Sequence, residues 1–242
     1  MILRPMAYRG QITIRLTGPS GSQGDRQNVT EIGLKQPGPA AIQRLLASVD
    51  ATPGRGPAPV HLWHPPFCGD IDMRIAADGR WFYNGSAINR PAMVRLFATI
   101  LRKDPERYVL VTPVERVGIR VDDAPFVAVE MVAAEGVLTF RTNLDEIVVA
   151  GVDHPIRFVT AADGGLKPYV HVRGDLWALA SRAVTHDLIG LGVVETLDEP
   201  VIVGAGTDQT AAEFTGPRAM FGLRSGTAFF PIAPADEIGG LA

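Results

Sequence analysis

This sequence predicts an α+β fold of two small, mainly antiparallel domains, each with a helix packed on strands. Three observations carry that expectation. The chain has 242 residues, of which 46% are hydrophobic and 20% charged, so a buried core is expected rather than disorder. Two successive stretches alternate apolar and polar residues between strong turn signals, and each contains one helical stripe. Both stretches run in the same order of strands, a helix after a strand, and further strands. Sequence identity between them is low, but the shared order suggests duplication.

Residues 1–36 read as an N-terminal extension. Gln11 to Leu16 alternates as a short strand would, and Gly18 to Gly24 is rich in turn-forming residues. The first domain is expected over 37–125. Ile42, Leu45, Leu46 and Val49 fall at helical spacing after Pro37 and Pro39, and "DATPGRGPAPV" then reads as a Pro/Gly linker. From Gly69 the period becomes two, with Ile71, Met73 and Ile75 on one face and Asp70, Asp72 and Arg74 on the other. Asp78-Gly79 is a two-residue hairpin signal. A turn there sets Ile75 opposite Phe82 and Arg74 opposite Tyr83, so Trp81 and Tyr83 join the polar face. Asn89 is expected to cap a helix with Pro91 in its first turn. Its buried stripe is Met93, Leu96, Phe97 and Ile100, and its wet side Arg95, Arg102 and Lys103. Strands follow at Tyr108–Thr112 and across Val117, Ile119 and Val121, until Asp123-Ala124-Pro125 breaks the pattern.

The second domain, 126–242, offers strands at Phe126–Val132, Val137–Thr142, Ile147–Ala150, Ile156–Val159 and Tyr169–Arg173. Asp175 is then expected to cap a helix with the stripe Trp177, Ala180, Val184, Leu188 and Leu191, ended by Gly190 and Gly192. Glu195 to Pro217 is turn-rich and reads as a long surface loop. A last hairpin turns at Ser225-Gly226.

Net charge is −3 and the isoelectric point about 6.0, which leaves no basic footprint for nucleic acid or a membrane surface. Cys68 is the single cysteine, so no intrachain disulfide forms and a reducing cytoplasm is the expected compartment. Walker, G-x-G-x-x-G, H-E-x-x-H and G-x-S-x-G motifs are missing, and neither a cofactor nor a catalytic residue is assigned.

Zinc is the sharpest reading of "HLWHPPFCGDID", through His61, His64, Cys68 and Asp70 or Asp72. A metal-dependent hydrolase built on them is the alternative function. Against it, Pro65-Pro66 stiffens the chain between His64 and Cys68, no second donor motif supports the set, and a lone cysteine behaves most often as a small hydrophobe. Asp70 and Asp72 are no glycosidase pair, since both point the same way with Arg74 alongside. The stronger candidate is a polar and aromatic surface where the two domains meet. Asp70, Asp72, Arg74, Trp81 and Tyr83 could stack and pair with a planar or anionic ligand. Thr112, Glu115, Arg116, Asp122 and Asp123 approach the junction from the first domain, and Asn143, Arg157 and Arg173 from the second. The bland alternative is that these side chains only knit the domains together. A protein-interaction module is a further reading, which would show an exposed apolar patch.

The phrase "GDIDMRIAADGRWFYNGSAINRPAMVRLFATILRKD", continued by "YVLVTPVERVGIRVDDAPFVAVE", resembles an uncharacterised proteobacterial family defined only as a domain of unknown function. "TN", "DHPIRF", "PYVHVRGDLWALASR" and "FGLRSGTAFFPI" resemble its later blocks in the right order, so the likeness runs from about Pro59 to Ala233. Ala87 replaces a usual proline and Arg116 a usual lysine. The resemblance implies a duplicated two-domain core with a pleckstrin-homology-like C-terminal domain. It also implies a small, nucleotide-based ligand at the domain interface and a role in signalling, without an established activity. Fold likeness alone supplies no function.

Overall fold

The computed structural model describes residues 57–198, 201–203, 212–214 and 217–238, all within one compact unit. The expected Gln11–Leu16 strand, Ile42–Val49 helix and most of the Pro/Gly linker lie outside them. A 3-10 turn at Val60–Leu62 leads into the first sheet. Its strands are β1 (Phe67–Ile75), β2 (Trp81–Tyr83), β3 (Ser86–Ala87), β4 (Leu101–Asp104), β5 (Arg107–Val111) and β6 (Arg116–Val121), with α1 (Pro91–Thr99) between β3 and β4. They lie in the order β3-β2-β1-β6-β5-β4. Only β1 and β6 pair in parallel, the neighbours being antiparallel.

The second sheet uses β7 (Phe126–Ala134), β8 (Val137–Thr142), β9 (Ile147–Val149), β10 (Ile156–Thr160), β11 (Leu166–Arg173) and β12 (Leu176–Ala180). Its order, read from β9, is β9-β8-β7-β12-β11-β10, again with a parallel central pair, β7 and β12. Each sheet is therefore two three-stranded meanders whose first and last strands meet in parallel. The repeated architecture is real at the level of topology, and the helices mark where the copies diverge. α1 lies between the meanders of the first repeat, whereas α2 (Arg182–Gly190) follows the last strand of the second. A three-stranded sheet, β13 (Val193–Leu197), β16 (Arg218–Ser225) and β17 (Ala228–Pro234), then packs beside the second repeat, and α3 (Ala235–Ile238) follows. β14 (Val201–Val203) pairs with β15 (Ala212–Phe214), so the stretch expected to be one loop carries strands. One hydrophobic cluster runs through both repeats, from Met73, Trp81 and Phe97 to Phe126, Phe140, Val170 and Leu188.

Three local expectations are corrected. The first hairpin is offset by one residue: Ile75 pairs with Trp81, Arg74 with Phe82 and Met73 with Tyr83. Its loop takes three residues, closed by the Ala76 amide donating to the Arg80 carbonyl at 2.9 Å, with Gly79 at φ +82°. Asp78 fixes this wider turn by accepting from the Arg80 amide at 3.1 Å and side chain at 2.6 Å. Because side chains alternate, one residue of slip moves Trp81 from the polar face into the core. It is 2% exposed there and stacks on Phe97 at 6.2 Å.

The helix expected from Asp175 is strand β12. Gly174, at φ +50°, and Asp175 turn the chain back onto β11. Leu176, Ala178 and Ala180 alternate inward while Trp177 and Leu179 look outward. The helix starts later, where the Ser181 hydroxyl accepts from the Val184 amide. In α1 the cap position is Arg90 and no side chain caps it; Asn89 is one residue too early. Val94, Phe97 and Ala98 are its buried residues, with Met93 and Leu96 partly buried against the core, while Arg102 and Lys103 belong to β4.

Candidate functional site

Cross-strand registers place one cation–tyrosine–aliphatic row at the same position in each repeat. In the first repeat Lys103 pairs with Tyr108 and Tyr108 with Ile119. In the second, Arg157 pairs with Tyr169 and Tyr169 with Leu179. The equivalence follows from strand order, β4-β5-β6 answering β10-β11-β12. Each cation leans on its own tyrosine: the Lys103 ammonium is 5.0 Å from the Tyr108 ring and the Arg157 guanidinium 5.2 Å from that of Tyr169. Arg157 also lies 4.1 Å over Trp177, whose ring meets His171 edge-on at 5.1 Å.

The linker between the repeats, through Asp123, touches the second row. Burial pushes the Tyr108 phenol up, while the Arg157 charge pulls it down and Asp123 and Asp175 add to the rise. Tyr169 is raised further, by burial first and then by donating a 2.7 Å hydrogen bond to Asp123. The other Asp123 oxygen takes Lys167 at 2.7 Å, so the linker between the repeats is clamped onto β11. Arg157 has no such partner. Its Nε is buried without a hydrogen bond, and no carboxylate of the described residues comes within 4 Å of its guanidinium. Burial lowers its basicity, with only the field of Tyr169, Tyr108 and Asp123 opposing. Lys103 spends its ammonium on the carbonyls of Asp104 at 3.1 Å and Pro105 at 3.4 Å, again without an ion pair among the described residues. Lys103 and Asp175 also line a cavity of about 580 Å³ between the Pro57–His61 segment, β4 and the β11–β12 turn.

The residues expected to form the site scatter. Arg173 is a structural staple between the repeats. It donates to the Ala98 carbonyl near the end of α1 at 2.8 Å and to Glu146 at 3.2 Å, and lies 5.2 Å over Phe126. Burial outweighs the attraction within that pair, raising Glu146 and lowering Arg173. Asn143 accepts from the Val127 amide at 3.0 Å and reaches the Gly79 carbonyl at 3.4 Å. A Cβ on Gly79 would stand 2.6 Å from its amide nitrogen, so glycine is needed for both the turn and this approach. Asn143 and Trp81 line one cavity of about 240 Å³.

Asp122 is 2.6 Å from Arg74, which lies 4.7 Å over Phe82 rather than on Trp81 or Tyr83. Asp72 is exposed on the same strand. Asp70 holds Arg107 loosely at 3.4 Å, and Arg116 pairs with Asp104 at 2.8 Å. Thr112 and Glu115 are buried and close a tight turn through the Thr112 hydroxyl, and Tyr83 is partly buried against the core. Only Asp123 and Arg157 stand in the cluster around Tyr108 and Tyr169. Lys103, Tyr108, Lys167 and Trp177 were missed by the sequence reading. Period-two alternation after Gly174-Asp175 was the signal for Trp177.

The ligand set read from the sequence is not assembled. His61 belongs to the 3-10 turn, whereas Cys68 and Asp70 are exposed along β1. Among the described residues no three His, Cys, Asp or Glu side chains gather as a ligand set. No helix of the described residues is long and apolar enough to cross a membrane.

Family models match the chain in two adjoining parts. The N-terminal domain of a domain of unknown function, DUF1285, matches residues 58–124, and the C-terminal domain of the same family matches 125–212. The crystal structure of a DUF1285 family protein from Silicibacter pomeroyi DSS-3 is 50% identical, over 80% of this chain and 97% of that one, with a TM-score of 0.66. One from Shewanella baltica OS155 is 27% identical over 49% of this chain and 90% of its own, with a TM-score of 0.40. None of the curated proteins matches the sequence. With both family domains matched in order and 50% identity to the first of these structures over 80% of its length, the chain belongs to the DUF1285 family.

Proposed function

We propose that the protein binds a small anionic, nucleotide-type ligand at the junction of its two repeats and acts as a regulatory or signalling component. Arg157 carries the reading. A guanidinium kept half-buried, stacked on Trp177 and left without a carboxylate among the described residues is costly for a fold and useful for an anion attached to a flat ring. The side chains around it position and stack, which suits binding rather than bond-breaking chemistry. A ligand held by both repeats would change how firmly they are joined, which is the basis of the regulatory part. A cytoplasmic setting and a pleckstrin-homology-like character for the C-terminal domain belong to the same proposal.

Thermal denaturation of the full chain with a panel of nucleotides tests it. A ligand at about 100 times its Kd adds roughly 2.7 kcal/mol, or about 5–10 °C in Tm, and Arg157→Gln should remove the shift. Flat melting across the panel at millimolar concentrations would sink the proposal.

One observation favours a protein-interaction role instead. Val132, Ile147 and Val149 are exposed on one face of β7 and β9, where Val149 and Val132 flank Thr139. A pull-down that recovers the same partners with wild type and Val149→Asp would count against that reading.

A further inference from the structure

The cavity of about 580 Å³ has a chemistry of its own. Its walls come from the Pro57–His61 segment, from β4 and from the β11–β12 turn, and Arg157 is not part of its lining. Ala58, Pro59, Val60, Leu101 and Leu176 make those walls largely apolar. Three strand cations also line it, and two of them are spent. Arg102 is neutralised by Asp104 at 2.7 Å and gives further donors to the carbonyls of Val60 at 2.7 Å and Trp63 at 2.8 Å. Arg173 is neutralised by Glu146 at 3.2 Å and holds the Ala98 carbonyl at 2.8 Å. Lys103 differs. Its half-buried ammonium meets the carbonyls of Asp104 and Pro105 and the Tyr108 ring, and no carboxylate among the described residues pairs with it. The acid of the lining, Asp175, is exposed on the β11–β12 turn and joins no ion pair among the described residues.

We infer that this cavity takes an apolar monocarboxylate, with its head on Lys103 and its body along Ala58, Pro59 and Val60. The volume falls within the range of about 300–1,000 Å³ that holds a small molecule between apolar walls and a few placed polar groups. An ammonium is a compact point charge, which suits one carboxylate. A phosphate monoester brings a second negative charge that finds no second unspent cation in the lining and meets the field of Asp175. An amine meets the like charge of Lys103. The inference stands apart from the nucleotide reading, because it uses neither Arg157 nor Trp177.

Isothermal titration of the full chain with octanoate, against octanol, octylamine and octyl phosphate, tests it. The measurements belong at pH about 8, where the phosphate monoester is doubly charged. Octanoate should bind at least about tenfold more tightly than each of the other three, the gain expected from one charge-assisted hydrogen bond. Lys103→Gln should cut octanoate affinity by about tenfold, Ala58→Phe should weaken it by narrowing the cavity, and Arg157→Gln should leave it unchanged. Circular dichroism would verify that all three variants fold. No binding of octanoate at millimolar concentration overturns the inference, and so does equal or tighter binding of any of the other three compounds. Full affinity in folded Lys103→Gln or Ala58→Phe, or loss in Arg157→Gln, would place the carboxylate elsewhere and overturn it as well. None of these outcomes touches the nucleotide reading, which the thermal panel decides.

Discussion

Arg157→Met should make the unliganded protein more stable. The native guanidinium is half-buried, has a buried Nε with no hydrogen-bond partner, and faces no carboxylate among the described residues. An unsatisfied buried donor costs about 1–3 kcal/mol. In return the side chain gains its stacking on Trp177, at 4.1 Å, worth about 0.5–2 kcal/mol. Methionine keeps much of the stem and replaces the stacking with a sulfur–aromatic contact of about 0.3–1.5 kcal/mol. The difference favours the variant by about 1 kcal/mol, a rise of about 2–4 °C in Tm. Urea unfolding is the assay, read as a higher midpoint at unchanged slope. Arg173→Met is the control, because it strips an arginine bonded to Ala98 and Glu146. That change should cost about 2–4 kcal/mol by leaving Glu146 without its partner. A loss of 1 kcal/mol or more in Arg157→Met would show that Arg157 is part of the scaffold, and the argument for a ligand there would fail.

Two further outcomes follow from the same geometry. Trp81→Ala should lose about 3–5 kcal/mol in urea unfolding, because the shifted hairpin buries the indole against Phe97; a loss under about 0.5 kcal/mol would restore the polar-face register. Tyr169→Phe should show an alkaline signature. Burial and Asp123 hold the Tyr169 proton more tightly in the fold than in the unfolded chain, so the stability this raised pKa contributes is full below pH about 10 and fades as pH rises through the folded-state value. The wild-type advantage over the variant should be constant at neutral pH and smaller by roughly 1 kcal/mol near pH about 10.7. An advantage that does not change between those conditions would show that Asp123 does not hold the proton.

Much of the strand pattern was legible because half-buried strands write their burial directly into the sequence. Val137–Thr142 alternates between Leu138, Phe140 and Thr142 inside and Val137, Thr139 and Arg141 outside, and forms β8 with those bounds. What the pattern could not resolve was loop length. A two-residue and a three-residue turn at Asp78-Gly79 use the same local chemistry, yet they put Trp81 on opposite faces. The Trp177 error has another source. Spacings of three and four from Trp177 to Leu191 mimic a helical stripe, although the first part is strand β12 and the second α2. Periodicity over such a window cannot see the boundary at Ser181, which is set by a hairpin returning onto β11.

Site residues were hard to read because residue type does not reveal pairing. Arg74 and Arg157 looked alike as arginines on strands beside aromatic residues. Arg74 is matched by Asp122, 48 positions away, through the parallel meeting of β1 and β6. Arg157 is matched by nothing of comparable charge among the described residues, because its neighbours across β11 and β12 are Tyr169 and Trp177 and the acid whose field reaches it, Asp123, is already bound to Lys167 and Tyr169. A fold that needed Arg157 only for cohesion would give it a carboxylate, as it does Arg102, Arg116 and Arg173. The cation left over, at the position that Lys103 occupies in the other repeat, is the one whose missing partner is best supplied from outside the chain.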